Sequence, residues 1–157
     1  MDKDRGQAQN VLSDVMPQRV VTMARIVHIA IKVENLEDAT KFYEEVYGFK
    51  QVETERNGQH ISRHMTDGYI DLALMIYDSE DAPEAQLSGK GPCIHHIGIE
   101  VDDRKSYEEK IKAFGGTILS KPGAGALKYR SPDGTIAEIV AAGRYEEKKE
   151  RATGARS

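Results

Sequence analysis

The sequence predicts an α+β fold made of two βαβββ modules. Three observations predict it. A short strand phrase occurs twice, as His28-Ile-Ala-Ile-Lys-Val33 and His96-Ile-Gly-Ile-Glu-Val101. Each copy is followed by a capping residue, an amphipathic segment and a glycine. Each then continues into short β-like runs divided by tight-turn signals. Internal self-similarity of this kind sets the architecture before any single element is considered.

In the first copy, Ile26 to Val33 alternates with the period of a strand. Val27, Ile29, Ile31 and Val33 fall on one face, and His28, Ala30 and Lys32 on the other. Asn35 suits a helix N-cap, and Leu36, Ala39, Phe42, Tyr43 and Val46 recur at helical spacing. Gly48 suits the left-handed residue that ends such a helix. Strands are expected near Lys50 to Arg56, Gln59 to Met65 and Tyr69 to Tyr77, with Asn57-Gly58 and Asp67-Gly68 as turns. In the second copy, Cys93 to Val101 is the first strand, with His96, Gly98 and Glu100 opposite Ile97, Ile99 and Val101. Asp102 or Asp103 caps a helix carrying Tyr107, Ile111 and Phe114, stopped by Gly115-Gly116. Thr117 to Ser120, Ala126 to Arg130 and Thr135 to Ala141 complete the module around the turn Pro132-Asp133-Gly134.

These elements divide the chain into an extension (1–22, polar and without period), a single domain (23–143) and a charged tail (144–157). Module one covers about 24–78, a polar linker 79–91, and module two about 92–143. The extension is expected to be flexible or loosely docked, and the tail to form at most a short solvated helix. A formal net charge of −4 argues against a nucleic-acid partner, which usually meets a basic face. No apolar run approaches the ~20 residues of a membrane span, and the N-terminus lacks a signal-like apolar region. Cys93 is the only cysteine, which leaves no intrachain disulfide and no thiolate metal cluster; it reads as a small strand residue. The expectation is a cytoplasmic protein acting on a small molecule.

Two imidazoles at repeat-equivalent positions and a carboxylate, Glu138, in the last strand of module two suggest a divalent-metal site. A mixed His/carboxylate set suits Zn, Ni, Fe, Co or Mn without choosing among them. His95 falls on the apolar face of its strand and reads as a packed, helix-side residue.

The chain resembles the vicinal oxygen chelate superfamily, the group of glyoxalase I, methylmalonyl-CoA epimerase, extradiol dioxygenases and bleomycin-resistance proteins. The matching residues are His28-Ile-Ala-Ile-Lys-Val, Ala39-Thr-Lys-Phe-Tyr-Glu-Glu-Val-Tyr-Gly48-Phe, His96-Ile-Gly-Ile-Glu-Val, Lys112-Ala-Phe-Gly-Gly116 and Ser131-Pro-Asp-Gly-Thr-Ile-Ala-Glu138-Ile-Val. The resemblance implies a cup-shaped mixed sheet with helices on its outer face and one divalent ion at its base. It implies His28, His96 and Glu138 as ligands. Asp71 is the fourth if Ile70-Asp71-Leu72 matches the family's Ile-Glu-Leu phrase; a shift of two residues puts Ala73 there and leaves an open-sided His-His-Glu triad. It also implies a homodimer, with the modules paired either within one chain or across two.

The segment Gln59-His60-Ile61-Ser62-Arg63-His64 is the other unusual stretch. The proton beside the carbonyl would be moved by Glu138 itself or, if the face with His60, Ser62 and His64 is inward, by one of those histidines. If the opposite face is inward, Arg63 could bind a substrate anion. Tyr77, Lys128 and Arg130 are further pocket candidates, whereas Lys32 and Glu100 are expected at the rim. The expected activity is that of a metal-dependent lyase or isomerase acting through an enediolate and proton transfer. The alternatives are an Fe(II) extradiol-type dioxygenase and a non-catalytic protein that sequesters a small ligand or drug.

Overall fold

The computed structural model describes residues 23–154, so the extension over 1–22 lies outside the described residues, as do 155–157. Module one consists of β1 (Arg25–Lys32), α1 (Leu36–Tyr47), β2 (Lys50–Asn57), β3 (His60–Thr66) and β4 (Asp71–Tyr77). Module two consists of β5 (Cys93–Val101), α2 (Arg104–Ala113), β6 (Thr117–Ile118), β7 (Leu127–Arg130) and β8 (Ile136–Ala141). A final helix, α3 (Glu146–Thr153), follows. All eight strands form one mixed sheet in the order β2-β3-β4-β1-β5-β8-β7-β6. The first strands of the two modules pair antiparallel at its centre, so the modules join within a single chain.

Local chemistry sets the element ends where the sequence placed them. The Asn35 side chain accepts from the Asp38 backbone N–H (3.0 Å), and Gly48 closes α1 at φ 72°, where a side chain would be strained. For α2 the cap is Asp103, which accepts from the Ser106 backbone N–H. Leu36, Ala39 and Tyr43 of α1 pack on Met65, Leu72 and Leu74; Tyr107 and Ile111 of α2 pack on Val101, Leu127 and Ile139. The apolar stripe of each helix is narrower than its spacing suggested, since Phe42, Val46 and Phe114 remain exposed.

Two β-bulges interrupt the central pair, one in each module. In β1 the register steps from Ile26 to His28, and in β5 it steps from His96 to Ile94, so Val27 and His95 are the extra residues. Each lies immediately before its module's repeated histidine. A bulge breaks strict alternation and turns a side chain that would face the helices. Val27 accordingly packs with Val140 and Tyr145 rather than with α1, and His95 bonds to its neighbour His96. The helix-side position expected for His95 is thereby corrected.

Opposite the first bulge, Gly98 pairs with His28, and a Cβ at Gly98 would lie 2.7 Å from the His28 Cβ. Both atoms are fixed by backbone, so neither can swing aside. Gly98→Ala is expected to displace the His28 strand and cost about 1–3 kcal/mol, as overpacked cores do. Comparing thermal unfolding of the metal-free variant with wild type checks this.

Candidate metal centre

The inner face of the sheet holds His28 and Ala30 from β1, His60, Ser62 and His64 from β3, Ala73 and Met75 from β4, His96 from β5 and Glu138 from β8. Apart from Ala30, all of these line one cavity of about 150 Å³. His28, His96 and Glu138 are 3, 5 and 6 % exposed, unusually deep for three polar side chains. Their ligand atoms lie within 4.8 Å of one another. The Glu138 carboxylate stands between the imidazoles, with Oε2 3.6 Å from His96 Nε2 and Oε1 3.9 Å from His28 Nε2. These gaps are too long for good hydrogen bonds. They are slightly wider than two ligands spanning an ion at ~2.0–2.2 Å require.

The outer nitrogens explain why the inner ones converge. His28 Nδ1–H donates to Asp71 Oδ2 at 2.5 Å, which turns Nε2 toward Glu138 as the nitrogen available to ligate. For His96 the relay is longer. The Glu84 carbonyl can only accept, so His95 Nε2 carries a proton toward it at 2.8 Å. Burial lowers the His95 pKa to about 4, so near neutrality its Nδ1 is a bare acceptor. His96 must then donate from Nδ1 across the 2.7 Å contact, and its Nε2 is left unprotonated. Two imidazole nitrogens and a carboxylate aimed at one buried point make a donor set that fits a divalent ion. Burial raises the Glu138 pKa, but with the rings protonated, as at acidic pH, the contact with His96 and the charges of His96, His28 and Lys128 outweigh it and hold the carboxyl down to about 2. Burial lowers the His96 pKa and so favours the neutral, ligating form.

The relay makes His95 a testable support. His95→Asn retains an acceptor oxygen near the Nδ1 position, and His95→Leu removes it. We expect the Leu variant to lose roughly 10- to 100-fold in zinc affinity, the usual cost of an outer-shell partner, and the Asn variant to recover most of it. Competition against a zinc chelator measures both.

Asp71 stands apart from this triad. β1 and β4 run parallel with Ala30 opposite Ala73, whereas β5 and β8 run parallel with Gly98 opposite Glu138. Ala30 and Gly98 each lie two residues beyond their histidine, so the repeat counterpart of Glu138 is Ala73. Asp71 lies opposite His28 and accepts from it and from His64 Nδ1 at 2.8 Å. His28, His64 and Asp71 also form a potential ligand trio, but hydrogen-bond contacts already close it. Asp71 thus stands as a carboxylate bonded to two rings, and the register matches the alternative in which Ala73 takes the fourth position.

Burial raises the Asp71 pKa, but the bonds from His28 and His64 outweigh it, so the carboxyl sits below its ordinary 3.8. Burial lowers the His64 pKa, but the Asp71 bond and charge outweigh it, so the ring sits above its ordinary 6.5. The signs define a window. The His64 contribution to stability is complete below 6.5 and fades as pH rises through the raised value; the Asp71 contribution is complete above 3.8 and fades as pH falls through the lowered one. In metal-free protein, the melting-temperature gap between wild type and His64→Gln should be widest near pH 5 and narrow above neutrality. A gap that widens from pH 6 to 9 would contradict the ion pair.

Histidines 60 and 64 therefore face the cavity, and the other face of β3 does not. Arg63 points toward α1, where its guanidinium donates to Thr40 Oγ1 (2.9 Å) and Glu37 (2.8 Å); its expected substrate-binding place is corrected. Arg130 donates to the Gly134 carbonyl in the β7–β8 turn and does not line the cavity, correcting that expectation too. Tyr77 also lies outside the lining: its ring is 5.1 Å from His60 and its hydroxyl 3.3 Å from His95 Nε2. Lys32 is buried rather than at the rim, donating to the Ala85 carbonyl and to Glu80.

The tail supplies residues that sequence reasoning missed. Tyr145, immediately before α3, stacks on His28 with ring centroids 5.2 Å apart, and its hydroxyl reaches Glu138 Oε1 at 3.5 Å. Arg144 and Lys148 join the cavity lining, and Lys148 pairs with Glu53 of β2. Lys149, only 5 % exposed, donates to the Tyr69 carbonyl. A lone tyrosine opening a charged helix was the available signal, but the stretch has no apolar period to reveal that it packs.

Two βαβββ modules sharing a central strand pair, with two imidazoles and a carboxylate converging on one face of the sheet, define a two-module α+β class of protein with a candidate metal site. Residues 25–139 match the Glyoxalase/Bleomycin resistance protein/Dioxygenase superfamily, and the chain belongs to that family. It is 29 % identical over 128 residues to a probable lactoylglutathione lyase of Vibrio parahaemolyticus, covering 74 % of this chain and 89 % of that one. It is 27 % identical over 133 residues to a lactoylglutathione lyase of Neisseria meningitidis, with the same coverage. Among solved structures, it is similar to a methylmalonyl-CoA epimerase in complex with methylmalonyl-CoA and NH4+, at 25 % identity and TM-score 0.63, covering 78 % of this chain and 97 % of that one. Among the described residues no helix is long and apolar enough to cross a membrane.

Proposed function

We propose that this chain is a divalent-metal-dependent lyase or isomerase that moves a proton on the carbon beside a carbonyl of a small oxygen-chelating substrate. The observation that carries this reading is the convergence of two imidazole nitrogens and a carboxylate on one buried point. The lactoylglutathione lyases and methylmalonyl-CoA epimerases it resembles support the same class of chemistry. A divalent ion bound by His28, His96 and Glu138 would supply Lewis acidity to neighbouring substrate oxygens.

The chain's own residues divide the proton work by their environments. A base works best with a pKa near the operating pH, so Glu138, held near 2, suits a ligand better than a base. Burial lowers the His60 pKa, so its ring is neutral at pH 7 and can take the proton from carbon. His64, with Nδ1 on Asp71 and its pKa raised by that carboxylate, can serve as the donor to the oxygen that gains the electron pair. Tyr145 covers the His28 ring and narrows water access to it.

The test begins with protein purified without chelator, analysed for metal, and assayed with the methylglyoxal–glutathione hemithioacetal and with methylmalonyl-CoA. Turnover abolished by a chelator and restored by one divalent ion supports the reading; metal-loaded protein inert toward both counts against it.

The register of Ala73 favours a second reading. With alanine at the counterpart of Glu138, three candidate ligands converge among the described residues, the open-sided set that Fe(II) oxygenases use. Oxygen uptake with a catechol under strict Fe(II) dependence would establish that reading and displace the first.

A further inference from the structure

A second cavity, of about 510 Å³, adjoins the candidate metal centre, and the two share Glu84, Lys128 and Glu138 in their walls. The chamber above the histidines, about 150 Å³, is smaller than the ~300–1,000 Å³ that ligand pockets usually offer. It suits a chelating head group, and the second cavity lies alongside it for whatever that head is attached to. The shared wall is the Glu84–Lys128 ion pair, and beyond it the surface turns apolar, with Pro83 and Leu87 from the linker facing Leu119 and Ala126 from module two. Leu119 and Leu87 are half-buried and lie outside the four buried hydrophobic clusters found among the described residues.

The linker is built into this place rather than draped over it. Three side chains from the sheet hold two consecutive linker residues. His95 donates to the Glu84 carbonyl, Lys128 pairs with the Glu84 carboxylate, and the buried Lys32 donates to the Ala85 carbonyl. A segment so fixed keeps the second cavity open at a constant distance from Glu138, and the same Glu84 ends the relay that orients His96.

We propose that this second cavity receives an uncharged aliphatic arm of the substrate while the substrate's paired oxygens lie at His28, His96 and Glu138. The substrate class is therefore a chelating head, such as a hydroxy- or oxo-acyl group, carrying an apolar chain of several carbons. This rests on the metal-centre reading above and extends it from reaction type to substrate shape.

Straight-chain hydroxamates test it, because each presents the same pair of chelating oxygens on an alkyl chain of chosen length. With zinc-loaded full-length protein, calorimetry should show Kd falling roughly fourfold per added methylene from acetohydroxamate toward octanohydroxamate, the gain expected for burying each CH2. Leu119→Trp, which fills the cavity, should flatten that dependence while leaving acetohydroxamate within about twofold of wild type. Leu119→Ala, a milder change that widens the same wall, should reduce the gain per methylene and serves if the tryptophan variant does not fold. Chain-length independence in wild type, or its full persistence in both variants, overturns the proposal while leaving the metal centre standing. Failure of acetohydroxamate to bind zinc-loaded protein overturns the chelating centre, and this proposal with it.

Discussion

Replacing His96 by alanine should abolish stoichiometric zinc binding while leaving the fold in place. The ring supplies one of three inner ligand atoms, and its neighbours His28 and Glu138 cannot move to compensate because each is held in a central or near-central strand. The loss should exceed the roughly 10- to 100-fold that removing an outer-shell partner costs. The buried space left behind is partly polar and borders the cavity, so water can fill it and the stability cost stays modest. Metal content after gel filtration, together with a chelator competition, reads the first effect; a melting curve of metal-free protein reads the second. Wild-type zinc occupancy in His96→Ala would remove the proposed centre.

Asp71→Ala should show the reverse pattern, with a large loss of stability and a smaller loss of affinity. Asp71 is 1 % exposed and accepts from both His28 and His64, so its removal leaves one ring charged without a partner and another without its orienting acceptor. Breaking a buried pair from one side costs about 3–5 kcal/mol. In a domain of this size that corresponds to a fall of roughly 10 °C or more in melting temperature. Zinc affinity should fall only into the outer-shell range, because His28 Nε2 remains available. If Asp71→Ala instead matched His96→Ala in affinity, Asp71 would have to be a direct ligand. The contrast between the two variants therefore decides the ligand set.

Much of the fold was legible because its signals are local. The repeated strand phrase, the Asn35 cap, Gly48 and the turn glycines act within a few residues, and the strands formed within a residue or two of where they were expected. The candidate site was legible in the three side chains that converge, since repeat equivalence alone paired His28 with His96 and the last strand of module two brought Glu138. It was not legible in its supports. Period-two reasoning assigned His95 to the helix side because it cannot register an inserted residue, and the bulge reversed that side chain. The two faces of β3 looked equally polar, and only packing of α1 against Arg63 left the histidine face for the cavity.

The amino-acid order on its own determined two modules, their helix caps and turns, and which three side chains could meet a cation, because hydrogen bonding and side-chain period act at short range along the chain. Tertiary structure decided the rest. Sheet register put Ala73 rather than Asp71 at the repeat counterpart of Glu138, and the docking of α3 brought Tyr145 onto His28. Contacts with the sheet turned the linker at Glu84 and Ala85 into a wall of the site. Those outcomes depend on distances between residues tens of positions apart, which are set only when the whole sheet has closed on its core.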